Sequence, residues 1–267
     1  DKESKYYRLI YGIDQAVGMI TKQLEQLGIA DNTVIIFTSD NGWSGGRKGL
    51  SGKVLPYEDA SRAPMIIYDP RHKTANKKTR INELTANIDI APTVLDLAGI
   101  EKPNYMQGES MMKLLEDPEK SIHESLLLIN VWGVPSHQSI SVVNKKYKYI
   151  NWFYGGQNYQ QTQEVYDMNK DPLERKNQID NHELKDDIEK MGILYDNWLT
   201  RWKNEAVHRE DYLRYPNLGD RELNWSQKNK KHTSLLEEMQ LKMTDENGVY
   251  SKHKKKANNM DDKSKIQ

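Results

Sequence analysis

Cysteine is absent from the 267 residues. No disulfide, thiolate metal site or cysteine nucleophile can therefore form within the chain, and its compartment stays open. The seven histidines, at 72, 123, 137, 182, 208, 232 and 253, are scattered. No two of them stand at i, i+4, so the sequence offers no helical histidine pair for zinc. Net charge is lacking too: 39 basic residues balance 39 acidic ones. No overall field draws the chain to nucleic acid or to an anionic membrane. Long apolar runs are also missing. The longest, residues 126–134, is interrupted by Asn130 and is far too short to span a bilayer. No basic segment leading into an apolar one opens the chain, so no signal peptide is visible. With 36% apolar residues and a mean hydropathy of −0.88, part of the chain is expected to be tail-like rather than packed.

What is present is organised around residues 33–53, TVIIFTSDNGWSGGRKGLSGK. The apolar run Val34 to Phe37 suits a short strand buried on both faces. It stops at Ser39-Asp40-Asn41-Gly42, which sets a carboxylate and an amide at the strand's carboxyl end, the edge of an α/β sheet where ligands sit. Lys53 follows inside a glycine-punctuated loop. A hard-oxygen pair and a cation at one sheet edge suit a metal ion and an anionic substrate. The bland alternatives are a strand-ending Asn-Gly turn and a surface lysine.

Upstream, Leu9, Ile10, Ile13, Val17, Ile20, Leu24 and Leu27 recur every three or four positions, predicting an amphipathic helix over 6–27 capped by Gly28. Downstream, residues 64–68 read as a strand and 74–80 as a surface loop. Residues 87–98 read as a helix with Asp89 as N-cap, Pro92 in the first turn and Gly99 as the stop. A short helix over 110–115 and a strand over 126–129 follow. From His137 the texture changes to short β-branched and aromatic segments at 139–143, 146–153 and 164–168, as in a small antiparallel sheet. Residues 180–202 then predict a helix with Leu184, Ile188, Met191, Leu194, Tyr195 and Trp198 on one face. The expected organisation is an α/β domain over 1–135, a small α+β subdomain over 136–225, and a lysine-rich, loosely held tail over 226–267.

Several phrases of the sequence resemble the type I sulfatases of the alkaline-phosphatase-like superfamily. They are Gly12-Ile13-Asp14, Phe37-Thr38-Ser39-Asp40-Asn41-Gly42, and Gly52-Lys53 followed by Tyr57-Glu58 and Arg62-x-Pro64. Asp89-Ile90-Ala91-Pro92-Thr93, Tyr147-Lys148-Tyr149 and Asp171-Pro172-x-Glu174 continue them in order, and the resemblance spans roughly 6–178. It implies an α/β fold, the C-terminal part of an alkaline-phosphatase-like sheet layered with helices, followed by the small sheet with its packed helix. It further implies sulfate-ester hydrolysis with a calcium ion, for which Asp40 and Asn41 supply oxygen ligands, and with Lys53 touching the sulfate. Such enzymes use a formylglycine nucleophile made from a Cys/Ser-x-Pro-x-Arg motif, which this sequence lacks. The expectation is a C-terminal portion whose nucleophile and remaining metal ligands lie in a missing N-terminal portion, and which is inactive alone. Secretion or periplasmic export is implied by the resemblance only.

Asp40-Asn41 differs from the Asp-His of the phosphatase and phosphodiesterase branches, where an imidazole suits zinc. An amide oxygen favours calcium. Where many relatives read Gly-x-His-Gly, this chain reads Gly46-Arg47-Lys48-Gly49. Arg47 and Lys48 are thus candidates for a cationic lip toward a sulfated small molecule or carbohydrate, with a solvated surface pair as the alternative. His137, at the junction into the small sheet, is a further candidate for substrate contact. Tyr57, Glu58 and Arg62 read as a buried set bracing the loop. Trp152, Phe153, Tyr154, Tyr159 and Tyr166 read as packing of the small sheet before sugar stacking. Two rivals stand beside the sulfatase: a phosphoester or phosphonate hydrolase of the same superfamily, and a non-catalytic anion-binding protein.

Overall fold

The computed structural model describes residues 2–73, 75, 77–131, 135–155, 160–206 and 214–228. Tyr159, Tyr212 and the tail from 229 onward therefore lie outside the described residues.

The first helix, α1, runs Lys2–Gln26. It ends as the sequence predicts: Gly28 takes φ 67°, and the Ile29 amide reaches back to the Leu24 carbonyl at 3.1 Å. Only glycine adopts that left-handed turn without steric cost. Strand β1 (Ile35–Thr38) follows, and then a small hairpin, β2 (Ser44–Gly45) with β3 (Ser51–Gly52). Helix α2 (Glu58–Ser61) leads into strand β4 (Met65–Tyr68), which pairs antiparallel with β1.

Burial of these elements differs from expectation. Among the described residues β1 has β4 as its one partner, and all four of its residues are only partly buried. The apolar stripe of α1 is exposed, with Leu9 at 68% and Ile20 at 59%. A groove lined by Ile10, Ile13, Val17, Leu24, Phe37 and Ile66 separates the helix from the strands. Periodicity specifies a helix and its apolar face, but burial needs a second layer, and none of the described residues supplies it.

After β4 come α3 (Ile90–Leu97) and α4 (Met112–Glu116). Asp89, predicted to cap α3, is fully buried and turned backward. Its carboxylate accepts from the Ala86 and Glu109 amides, each at 2.8 Å, and stands 2.8 Å from Nε2 of His123. It ties three chain segments together and makes no side-chain cap bond to α3.

The best-packed region is an antiparallel sheet ordered β5-β6-β7-β8, from β5 (Ser125–Asn130), β6 (Ser139–Asn144), β7 (Tyr147–Trp152) and β8 (Thr162–Asp167). The sheet starts earlier than the boundary expected near 135, because β5 pairs with β6 from Ser125↔Asn144 to Asn130↔Ser139. Helix α5 (Lys185–Glu205) covers one face. Ile140, Val142, Tyr149 and Val165 meet Met191, Tyr195 and Leu199 there. Asn151 donates to the Tyr195 hydroxyl and to the Gly219 carbonyl, both at 2.9 Å, so the buried amide is satisfied. Side chains alternate along β7, so Lys148, Ile150 and Trp152 point to the opposite face.

Helix α6 (Arg214–Leu218) is followed by a turn and a helical start at 225–228, where Asn224 and Gln227 exchange side-chain-to-amide hydrogen bonds at 2.9 and 3.0 Å. That reciprocal pair is a helix N-terminal capping device. Of residues 226–228, at the head of the expected tail, Ser226 and Gln227 are exposed and Lys228 is 1% exposed. Tyr215 and Trp225 pack against the sheet core.

Candidate functional site

The end of β1 turns sharply. Ser39 Oγ donates to the Asn41 carbonyl at 2.7 Å, and the Gly42 amide donates to the Ala60 carbonyl at 2.8 Å. A Cβ at Gly42 would stand 2.3 Å from the Asp59 carbonyl oxygen and 2.7 Å from that of Arg62, so only glycine allows this approach. From the single helical turn just ahead of α3, Asn87 Nδ2 donates to the carbonyls of Ser39 and Asp40 at 3.1 and 3.0 Å. The turn is thus held from two sides, and Asp40 on it is exposed.

On that turn Asp40 Oδ2 lies 3.3 Å from Nζ of Lys53, with the two side chains 77% and 52% exposed. Asn41 commits its amide nitrogen to the Gly42 carbonyl at 2.7 Å, which leaves Oδ1 as its available oxygen. The structure therefore brings Asp40, Asn41 and Lys53 to one edge. Two hard oxygen donors side by side fit part of a calcium site, since calcium takes six to eight oxygens. Among the described residues no group of three or more His, Asp or Glu forms a metal cluster.

Arg47 and Lys48 are directed elsewhere. Arg47 Nη1 pairs with Asp59 at 3.0 Å. The Lys48 ammonium donates to the Glu174 carbonyl and lies 4.1 Å from the ring centroid of Tyr57 and 4.9 Å from that of Tyr166. Burial pulls its pKa below the ordinary lysine value, against the opposing pull of Glu174, Glu164 and Asp171. His137 is exposed on the turn Pro135–His137, and among the described residues no hydrogen bond or ion pair joins it to the residues at the end of β1.

Behind the hairpin lies a clamp. Lys148, fully buried, gives its ammonium to Glu58 at 2.6 Å, to Glu174 at 2.8 Å and to the Pro56 carbonyl at 3.1 Å. Glu174 also accepts from the Glu58 amide at 2.8 Å. The Tyr57 hydroxyl donates to Glu164 at 3.0 Å, and Tyr166 donates to the same carboxylate oxygen at 3.0 Å. Desolvation, with Glu164 adding to it, pushes both tyrosine pKa values well above ordinary. The bracing role expected of Tyr57 and Glu58 is seen here. Arg62 takes no part: it is exposed. Lys148 and Asn87 carry no chemical motif of their own. A lysine at the inward register of a β-branched and aromatic strand was the available signal for Lys148. Trp152 and Tyr166 pack on Tyr57, each with ring centroids 6.2 Å away, and Phe153 is fully buried, so the small sheet uses its aromatics as core.

Lys53 and the clamp around Lys148 fall on the segment that a family model recognises, while Asp40 and Asn41 stand a few residues ahead of it. The model for the N-sulphoglucosamine sulphohydrolase C-terminal region matches residues 46–196. The chain belongs to this sulphohydrolase family. An N-acetylglucosamine-6-O-sulfatase of Bacteroides thetaiotaomicron is 29% identical over 215 residues, covering 78% of this chain and 38% of that protein. An arylsulfatase of Clostridium perfringens is 32% identical over 188 residues, covering 70% of this chain and 38% of that protein. A protein solved in complex with its substrate D-glucosamine-2-N,6-O-disulfate is 28% identical, with a TM-score of 0.65 over 74% of this chain and 40% of that one. The sulphohydrolase chain thus has the alkaline-phosphatase-like α/β architecture expected of it, and it spans well under half the length of the relatives it matches.

Proposed function

We propose that this chain forms the part of a sulfuric ester hydrolase that faces the sulfate and one side of a calcium ion. The full-length protein acts on a sulfated carbohydrate, with sulfated glucosamine as the first candidate. The observation that carries the reading is the ammonium of Lys53 standing 3.3 Å from Asp40, beside Asn41, on a turn braced by Asn87 and Gly42. Relatives described as sulfatases, one of them an N-acetylglucosamine-6-O-sulfatase, support the substrate class.

Sulfuryl transfer places negative charge on peripheral and leaving oxygens, and a fixed cation aimed at those oxygens stabilises it. Lys53 supplies such a cation on a short, braced hairpin. Asp40 and Asn41 would hold the calcium ion through Oδ1 or Oδ2 and Oδ1 respectively. A bound calcium ion adds a Lewis acid beside the ester oxygens. The exposure of Asp40 and Lys53 leaves both open to a ligand. The nucleophile, a formylglycine hydrate in our reading, comes from residues outside these 267. Export to the periplasm or exterior belongs to the same proposal; among the described residues no helix is long and apolar enough to cross a membrane.

The test is sulfate release from 6-O-sulfated N-acetylglucosamine by the full-length protein, before and after removal of calcium by a chelator. Turnover that is lost on chelation and restored by calcium, with none from residues 1–267 alone, is the expected result. Hydrolysis of phosphonate esters without sulfate release, or activity from the 267 residues alone, would overturn it.

A further inference from the structure

Among the described residues two that are not glycine have a left-handed backbone, Lys48 at φ 57° and Glu174 at φ 52°. They are 126 positions apart, and they touch: the Lys48 ammonium donates to the Glu174 carbonyl. Side-chain-bearing residues persist in this region only where their surroundings over-determine them. Both ends of the contact are so determined. Glu174 is fixed by its carboxylate, which is divided between the Lys148 ammonium at 2.8 Å and the Glu58 amide at 2.8 Å. Lys48 is fixed by the rings of Tyr57 and Tyr166, whose hydroxyls both donate to Glu164. A cation over two aromatic faces, with a carbonyl completing its coordination, is a directional attachment rather than a solvated charge.

The attachment sits at the tip of the hairpin β2–β3. The residue after β3 is Lys53, so whatever fixes the tip fixes the origin of that side chain. We propose that Lys48 is a positioning residue: docked in the two-tyrosine box at Glu174, it holds the hairpin so that the Lys53 ammonium stands over Asp40. This rests on the reading of Lys53 as the sulfate contact. It gives the small sheet a part in positioning the site, since Tyr166 belongs to β8 and Glu174 to the loop after it. It also explains why a lysine with a partly desolvated ammonium is turned inward at a place open to solvent.

Two variants of the full-length protein test this. Lys48→Met keeps the stem and removes the charge, and Lys48→Arg keeps the charge. Hydrogen exchange is followed at residues 44–53 and in β6 and β7, and kcat and KM are measured on 4-nitrophenyl sulfate. For Lys48→Met we expect faster exchange confined to 44–53 and a kcat lowered about 10- to 100-fold, the usual cost of an ångström-scale misplacement. Lys48→Arg should restore most of both. A Lys48→Met protein with wild-type kcat and exchange overturns the proposal, and so does faster exchange spread through β6 and β7, which would mark general loosening. If the wild-type protein releases no sulfate, the functional reading fails separately. The exchange pattern then decides the docking by itself: confined acceleration supports it, and unchanged rates refute it.

Discussion

Two of the places where lysine meets carboxylate in this molecule have opposite environments. At the end of β1 the pair Lys53–Asp40 is loose, at 3.3 Å, and more than half of each side chain is in solvent. Under the small sheet Lys148 is fully buried and divided between Glu58 and Glu174, with a backbone carbonyl as third partner. An exposed pair contributes about 0–1 kcal/mol, so little is lost when a ligand separates it. A buried, fully hydrogen-bonded set is far harder to break, because removing one member strands the others away from water. The first arrangement can exchange partners and do chemistry. The second can only hold.

Substitutions can break that contrast, and the largest effect should come from the buried side. Lys148→Met leaves Glu58 and Glu174 facing each other without a counter-charge, and should lower unfolding free energy by about 3–5 kcal/mol in urea titration. A loss below about 1 kcal/mol would show that the clamp is not what fastens the hairpin to the sheet. Lys53→Ala should do the reverse: leave unfolding within about 0.5 kcal/mol of wild type while reducing kcat/KM of the full-length enzyme for a sulfate ester about 10²- to 10³-fold. Equal kcat/KM in the two proteins would remove Lys53 from the site.

A third lysine sharpens the comparison. Lys228 is buried like Lys148 but, among the described residues, its ammonium has no hydrogen-bond partner and lies 5.9 Å from the Phe153 ring. Burial draws its pKa down from 10.5 to about 8, with Asp220 opposing. The unfolded chain therefore holds this proton more tightly than the folded one. The penalty is full below pH 8 and is relieved as pH rises from about 8 toward 10.5. Lys228→Met should raise stability at pH 7 by about 1–2 kcal/mol and abolish that alkaline rise, as read from denaturation at several pH values. No change in the pH profile would mean that the ammonium is already neutral or solvated.

Much of this was legible in order along the chain. The helix stop at Gly28, the alternation of β7 and the apolar face of α5 follow from local sterics and periodicity, which neighbours in sequence suffice to set. The phrases around Asp40, Lys53, Tyr57, Lys148 and Glu174 marked the family. Less legible was which sheet β5 would join, because an apolar strand pairs equally well with several edges until register is chosen by long-range contacts. The stripe on α1 announced an apolar face and yet left its cover undetermined. Asp89 looked like a helix cap, and its partners at 109 and 123 were beyond any local window.

Residue type and spacing by themselves determined where this chain can bend, which segments are helix or strand, and that a carboxylate, an amide and a lysine arrive at one strand end. Tertiary structure decided which charges are available. Lys48, Lys53, Lys148 and Lys228 are the same side chain, and the distance to water and to partners far along the chain separates a reactive cation from a latch, a clamp and a buried liability. That separation is a matter of desolvation, which depends on what packs overhead and is written nowhere in the local sequence.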